Sequence, residues 1–401
     1  MEKKIPEIRF KGFEGEWKQS SLGELGSVAT NKRIFIHQTS LTGDVPFYKI
    51  GTFGREPKLF ISQELFDDYK KRYPFPEKGD LLFSVIGSIG RVVEYAGEDE
   101  YFQDSNVVWL KHDGAIENSF LKQFYSIVEW EGIEGSTIKH LYNRTILGTK
   151  IQTPSREEQT QIGNYFQKLD TLINQHQQKH DKLSNLKKAM LEKIFPKQEK
   201  TVPEIRFDGF SGDWEEVTLG TNARFTKGRG YSKGDLVESG TPIILYGRLY
   251  TKYQTVISQV DTFSEEKPKS LKSMGAEVIV PASGESPEDI ARASAVSKSG
   301  VILGGDLNVI YPNDKITPEF LALTISHGKP QKELSSKAQG KSVVHIRNSD
   351  LESLLLKMPE LDEQKTIASY FQKLDELINQ HNQQITKLKN IKQACLDKMF
   401  V

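Results

Sequence analysis

Residues 162–195 read IGNYFQKLDTLINQHQQKHDKLSNLKKAMLEKIF, and residues 367–400 read IASYFQKLDELINQHNQQITKLKNIKQACLDKMF, identical at 21 of 34 positions with an offset of 205. In the first copy the apolar positions are Ile162, Phe166, Leu169, Ile173, Leu183, Leu186, Met190 and Ile194. In the second they are Ile367, Phe371, Leu374, Ile378, Ile385, Leu388, Ile391, Cys395 and Met399. Steps of three and four mark one apolar stripe along a long helix, close to a heptad seam. At ~1.5 Å per residue each segment spans ~51 Å, too long for an ordinary globular helix. Neither stripe can be buried alone, so the two helices should pack on each other. Polar residues interrupt both stripes at 174–178 and 379–383, with His176 and His381 on the seam. Setting His176 against His381 in an antiparallel pair brings Ile162 opposite Cys395, Leu169 opposite Leu388, Leu183 opposite Leu374 and Met190 opposite Ile367. A parallel pair also aligns the two histidines. Residues 202–366 must form a domain before the second helix begins, however, and that favours the antiparallel arrangement. A buried polar layer fixes register at some cost in stability.

Outward from the helices the duplication continues. Residues 5–17, IPEIRFKGFEGEW, match 202–214, VPEIRFDGFSGDW, at nine of 13 positions. GSTIKHLYNRTI (135–146) answers GKSVVHIRNSDL (340–351), and Pro154 with Glu158-Gln159 answers Pro359 with Glu363-Gln364. The chain is two copies of one unit, each a globular part followed by a helix. Ser155-x-x-Glu158 reads as a capping box that starts the first helix just after Pro154. Between the repeated boxes, residues 26–134 and 223–339 resemble each other little, yet both read as β-rich. The β-branched or aromatic runs are 80–87, 91–95 and 106–110 in the first, and 241–247, 276–282 and 300–312 in the second. A short helical stretch follows in each, around 120–130 and 320–327. A frame kept twice with unlike inserts suggests two different recognition surfaces.

Composition narrows the class. The chain has 401 residues with 54 basic and 54 acidic side chains, 37% hydrophobic and 27% charged. No apolar run approaches the ~20 residues needed to cross a bilayer, and MEKKIPEIRF has no signal-peptide core, so a membrane or secreted protein is not expected. The single cysteine, Cys395, excludes a disulfide framework and a cysteine zinc site and suits a reducing cytosol. Outside the two helix repeats stand 43 basic and 48 acidic residues. Any nucleic-acid contact must therefore be local rather than a bulk electrostatic effect.

Catalytic motifs fail residue by residue. His176-x-x-x-His180 has the spacing of a helical metal pair, but Ile385 stands at the matching place and no Glu follows His176. Gly340-Lys341-Ser342 lacks the glycine of a phosphate loop five residues earlier, where Ser335 stands, and its counterpart is Gly135-Ser136-Thr137. Gly87-Ser88-Ile89-Gly90 lacks the leading glycine of a nucleophile elbow. Glu363-Gln364-Lys365 has a nuclease-like spacing, but Thr160 replaces the lysine in the other copy and both sit at a helix start, where acidic residues suit the dipole. No catalytic or metal-binding residue is assigned. The candidate DNA contacts are clusters of basic, hydroxyl and aromatic residues on predicted loops of the unlike inserts. They are Lys32, Arg33, Lys49, Arg55, Ser84, Ser88 and Arg91 in the first, and Lys227, Arg229, Tyr231, Tyr246, Arg248, Tyr250, Lys252 and Tyr253 in the second. Arg and Lys can reach guanine edges or phosphates, and glycine lets the backbone approach a groove.

This pattern resembles the specificity subunit of type I restriction–modification systems over essentially the whole chain. The resemblance is carried by the doubled PEIRFxGFxGxW opening, by Gly79-Asp80-Leu81-Leu82-Phe83-Ser84 and Gly87-Ser88-Ile89-Gly90, and by Tyr246-Gly247-Arg248-Leu249-Tyr250 and Ser283-Gly284-Glu285. The Pro154 and Pro359 entries to the long helices complete it. It implies an α+β fold with two β-rich target-recognition domains at opposite ends of two long antiparallel helices, a pseudo-two-fold internal repeat. The domains would be 1–151 and 198–356, and the spacer helices 152–197 and 357–401. It also implies a non-catalytic DNA-binding chain that reads a bipartite target and positions two adenine-methyltransferase (modification) subunits, with two restriction subunits joining. S-adenosylmethionine would belong to the modification subunit, ATP and Mg to the restriction subunit, and no cofactor to this chain. The setting would be the cytoplasm of a bacterium or archaeon. The alternative from a different class is a coiled-coil adaptor with two globular protein-binding ends; a nuclease or methyltransferase acting alone is more distant.

Overall fold

The computed structural model describes residues 5–135, 139–197, 199–338, 340 and 343–401. Lys341, Ser342, Ser136 and Thr137, the residues of the rejected phosphate-loop match, lie outside them. The chain divides into two compact units, Met1–Gln175 with Gln384–Val401, and His176–Gln383. The long helices run over Arg156–Ile194 and Leu361–Met399, so each unit owns half of each helix and the division falls within the helices rather than at their ends.

In the first unit the opening strand β1 (Lys18–Ser21) leads to β2 (Ser27–Ala29), β3 (Val45–Tyr48), β4 (Leu59–Ile61), β5 (Leu81–Ser84), β6 (Val92–Glu94), β7 (Tyr101–Phe102), β8 (Val107–Lys111) and β9 (Lys150–Thr153). β5 and β8 are buried on both faces, apart from the last residue of β8, and apolar but for Ser84 and Lys111; they form the middle of the sheet β2-β8-β5-β6. A second sheet has the order β4-β3-β7, with β3 and β7 parallel, and β1 pairs with β9.

The second unit runs through β10 (Glu215–Thr218), β11 (Ala223–Lys227), β12 (Leu236–Val237), β13 (Thr241–Ile244), β14 (Val256–Ile257), β15 (Phe263–Ser264), β16 (Glu277–Pro281), β17 (Ser283–Gly284), β18 (Ser294–Val296), β19 (Ile302–Leu303), β20 (Leu307–Pro312), β21 (Val344–His345) and β22 (Leu355–Met358). Its main sheet is β11-β20-β16-β18-β14, its second sheet is β12-β15-β13-β19 with β13 and β19 parallel, and β10 pairs with β22. Strand for strand, β11, β20, β16 and β18 repeat β2, β8, β5 and β6. The parallel pair β13–β19 repeats β3–β7. The inserts, unlike in sequence, share this strand order, to which the second adds β14 and β12 as edge strands.

The repeated boxes hold each unit to its helix halves. Arg9 forms a two-pronged ion pair with Glu158, Nε to Oε1 and Nη2 to Oε2 both at 2.7 Å, and Arg206 does the same to Glu363 at 2.8 and 2.6 Å. Both carboxylates are buried. The neighbouring glutamines bridge to the short helices Asn118–Ile127 and Pro318–Ser326: Gln159 Oε1 accepts from the Glu117 amide and Gln364 Oε1 from the Thr317 amide, each at 3.0 Å. Around them Trp17, Phe120 and Phe400 pack edge to face or stacked, as Trp214, Phe320 and Phe195 do in the other unit. The expected capping box forms only in half. Ser155 Oγ accepts from the Glu158 amide at 3.3 Å, but the Glu158 carboxylate is taken by Arg9.

The seam follows its predicted register. In the second unit His176 Nδ1 lies 2.9 Å from His381 Nδ1, and Leu183, Met190, Ile367 and Leu374 share one apolar cluster. In the first unit Ile162, Leu169, Leu388 and Cys395 share another. Lys392 bonds Asp170 at 2.6 Å, and Lys187 bonds Asp375 at the equivalent place. Falling partner numbers make the helix halves antiparallel in both units.

Candidate nucleic-acid interface

The structure sorts the candidate side chains into those facing solvent and those committed to holding loops. In the first unit Lys32, Arg33, Arg55 and Ser88 are exposed and Lys49 is half-buried. Lys32 Nζ stands 5.1 Å over the Tyr73 ring, and Arg33 meets Asp104 at 2.9 Å. Ser84 is buried; its hydroxyl donates to the Ser88 carbonyl and accepts from the Arg91 amide. Arg91 Nη1 in turn donates to the Phe53 carbonyl at 3.0 Å, tying the 49–55 turn to the β5–β6 loop. Ser84 and Arg91 thus shape the loop that presents Ser88.

In the second unit Lys227 and Arg229 are exposed at the end of β11. Tyr231 is buried with its hydroxyl against Ser270 and the Lys267 amide. The segment read as a loop at 246–253 contains a single helical turn, Arg248–Thr251. Its arginine is 9% exposed and reaches inward to Asp261, to Gln254 Oε1 at 3.1 Å and to the Gln259 carbonyl at 2.9 Å. Lys252 also pairs with Asp261, and these two cations pull the Asp261 carboxyl down to about 2. Tyr250 donates to the Ser283 carbonyl at 2.8 Å and Tyr253 to the Ala293 carbonyl at 3.2 Å; the first hydroxyl is half-buried, the second buried, and burial pushes both up. Arg248, Tyr231, Tyr250 and Tyr253 therefore brace the insert, while Tyr246, Lys227, Arg229 and Lys252 remain at its surface.

Glu363 of the nuclease-like spacing is held by Arg206, with 2% of its side chain exposed.

The model of the type I restriction modification DNA specificity domain matches this chain twice, over residues 14–185 and 211–390. The chain belongs to that family. It is a specificity subunit of a type I restriction–modification system, and DNA specificity is its role. It is 48% identical over 158 residues to a putative type I restriction enzyme specificity subunit of Haemophilus influenzae, a match covering 39% of this chain and 41% of that protein. It is 24% identical over 398 residues to the type I restriction enzyme MjaVIII specificity subunit of Methanocaldococcus jannaschii, covering 88% and 92% of the two chains. The crystal structure of the S subunit of the type I system from M. genitalium shares the fold, with a TM-score of 0.61 at 15% identity over 99% of each chain. No helix among the described residues is long and apolar enough to cross a membrane.

Two features escaped the sequence reading. The β5–β6 loop yields DNA-contact candidates from sequence only in the first unit; its counterpart, 283–292, holds Ser283-Gly284-Glu285 but no basic cluster. The second signal, the His at 140 and 345, stood in the repeated box but had no assigned part.

Proposed function

We propose that each unit reads one half of a bipartite DNA target and that the chain seats two adenine-methyltransferase subunits, with restriction subunits joining the full complex. One observation carries this reading: a repeated frame, down to its buried ion pairs, bears two inserts of the same topology whose surface side chains differ. Identical frames suit two copies of one partner, and differing surfaces suit two different sequences. The chain itself chooses sequence. Methyl transfer belongs to the modification subunit, which binds S-adenosylmethionine and takes the adenine out of the duplex, and ATP and Mg belong to the restriction subunit. With equal numbers of acidic and basic residues, the isolated chain should hold DNA weakly and gain affinity and selectivity with its partners. The setting is the cytoplasm of a bacterium or archaeon.

In this reading the long helices, which both units share, set the gap between half-sites. Four residues inserted near Gln178 lengthen the first helix by ~6 Å, about one turn, and nearly keep the seam in phase. Methylation mapping in a host expressing the variant with its modification subunit should show the gap widened by roughly one or two base pairs, at ~3.4 Å per pair, with both half-sites unchanged. An unchanged gap in an active complex refutes the ruler. Absence of any sequence-selective DNA retention by the wild-type complex refutes the reading as a whole and favours a protein–protein adaptor.

A further inference from the structure

The loop that follows the central strand is placed in the same way in both units, although its residues differ. After β5, the Val85 amide donates to the Asn106 carbonyl at 3.0 Å; after β16, the Ala282 amide donates to the Asp306 carbonyl at 2.8 Å. The same two residues then accept from the repeated frame. Leu141 N donates to the Val85 carbonyl at 2.8 Å, and Ile346 N to the Ala282 carbonyl at 3.1 Å. Leu141 and Ile346 are buried, which anchors that frame strand in the core. One residue further along the loop, Ile86 pairs with His140 and Ser283 with His345. The frame thus fixes where the loop begins, to within one hydrogen-bond register, in both copies.

Beyond that anchor the chemistry diverges. The first loop is short: Gly87 takes a positive φ of 70°, Ser88 points to solvent, and Ser84 bonds back to Ser88 and Arg91. The second is longer and acidic. Glu285 is exposed at its start, Ser286 caps the turn through Asp289, and Arg292 closes it by pairing with Asp289 and lying over the Tyr250 and Tyr253 rings at 5.9 and 5.8 Å. Gly284 is required there, because a Cβ would stand 2.8 Å from the Tyr250 hydroxyl. Both segments are braced by these bonds, and each holds out an exposed polar side chain, Ser88 in the first and Glu285 in the second. Fixed placement with variable, pre-organised chemistry is what a base reader needs.

We propose that segments 86–91 and 283–292 are the base-reading loops of the two units, and that His140 and His345 beside them contact the DNA backbone. What the two half-sites have in common is sugar and phosphate, so the side chain common to both frames belongs there. What differs between half-sites is the base edges. Ser88 offers a hydroxyl that serves donor or acceptor edges, and Glu285 offers an acceptor suited to the cytosine amino group. The proposal rests on the bipartite reading above and goes further by naming the reader in each unit.

The test uses the chain in complex with its modification subunits and maps adenine methylation in host DNA. Glu285→Gln should relax one base position in one half-site, with a roughly 5- to 150-fold loss of discrimination there, and leave the other half-site and the gap intact. Ser88→Ala should do the same in the opposite half-site. His140→Ala and His345→Ala should lower methylation at every target alike, without altering the recognised sequence. Where a variant complex assembles but methylates nothing, competition binding of duplexes randomised in one half decides: loss confined to one half supports the loops as readers, and loss across both overturns them. If wild type yields a two-part motif and both loop variants leave it unchanged, only the loop assignment falls. If wild type yields no two-part motif, the bipartite reading falls with it.

Discussion

The two inserts and the two frames are each present twice, yet what the copies have in common differs. The inserts, 26–134 and 223–339, kept a topology and lost their residues: β5 and β16 are both buried central strands, one reading LLFS and the other EVIVP. The frames kept the residues themselves, because their work is done by directed polar contacts. A sheet core asks only that apolar side chains of fitting volume fall on the buried faces. A buried carboxylate asks for one particular partner in one particular geometry.

Breaking a frame contact should therefore have the largest effect, and the same effect in both units. Arg9→Ala or Arg206→Ala leaves a buried carboxylate unpaired and should cost about 3–5 kcal/mol, measured by denaturant unfolding of the chain. Unequal losses would mean that the two frames are not energetically equivalent.

A difference between units should appear on acidification. His327, at the end of Pro318–Ser326, is held down to about 4 by burial and by the nearby Lys187 charge, whereas the first unit has Ile127 and Val128 at the end of its corresponding helix. Its folded form resists protonation more than its unfolded form. Its contribution is intact above pH 6.5 and is lost as pH falls towards about 4, a change of roughly 3 kcal/mol. His327→Gln should flatten that part of the stability–pH curve, followed by fluorescence-detected unfolding; no change on substitution would reassign the acid sensitivity.

The seam comes next. Replacing His176 and His381 together with leucine exchanges a polar layer for an apolar one and should stabilise the chain by about 1–2 kcal/mol. A loss of stability would show that the histidine contact, 2.9 Å between Nδ1 atoms, contributes more than register. The smallest effect belongs to the insert surface. Arg33→Ala removes a pair whose arginine is 59% exposed and should change stability by less than about 1 kcal/mol, while weakening recognition of one half-site only.

What the sequence disclosed follows the same division. The repeated boxes, both long helices and the pairing of Leu169 with Leu388 across the seam were legible because identity and a 3.6-residue period are local signals. The common topology of the inserts was not, since β3–β7 and β13–β19 join strands more than 50 residues apart with nothing in the residues to announce the pairing. Nor could composition distinguish a cation that faces DNA from one that braces a loop. Arg248 and Arg229 look alike in the chain, but only Arg248 has Asp261 and two further acceptors within reach.

The opening boxes have one more consequence. In the second copy the Glu204 and Ile205 amides cap the end of the first long helix at the Lys193 carbonyl, 3.0 and 3.1 Å away, and a few residues of chain join the two. In the first copy the Ile8 amide caps the second long helix at the Lys398 carbonyl, at 3.0 Å. The opening box thus caps the end of a long helix in each unit, whichever copy supplies it. A chain opened near residue 200, with residues 8 and 398 brought into one connection by a short linker, should keep both units and both helix caps. Which half comes first is a matter of reading order, not of architecture.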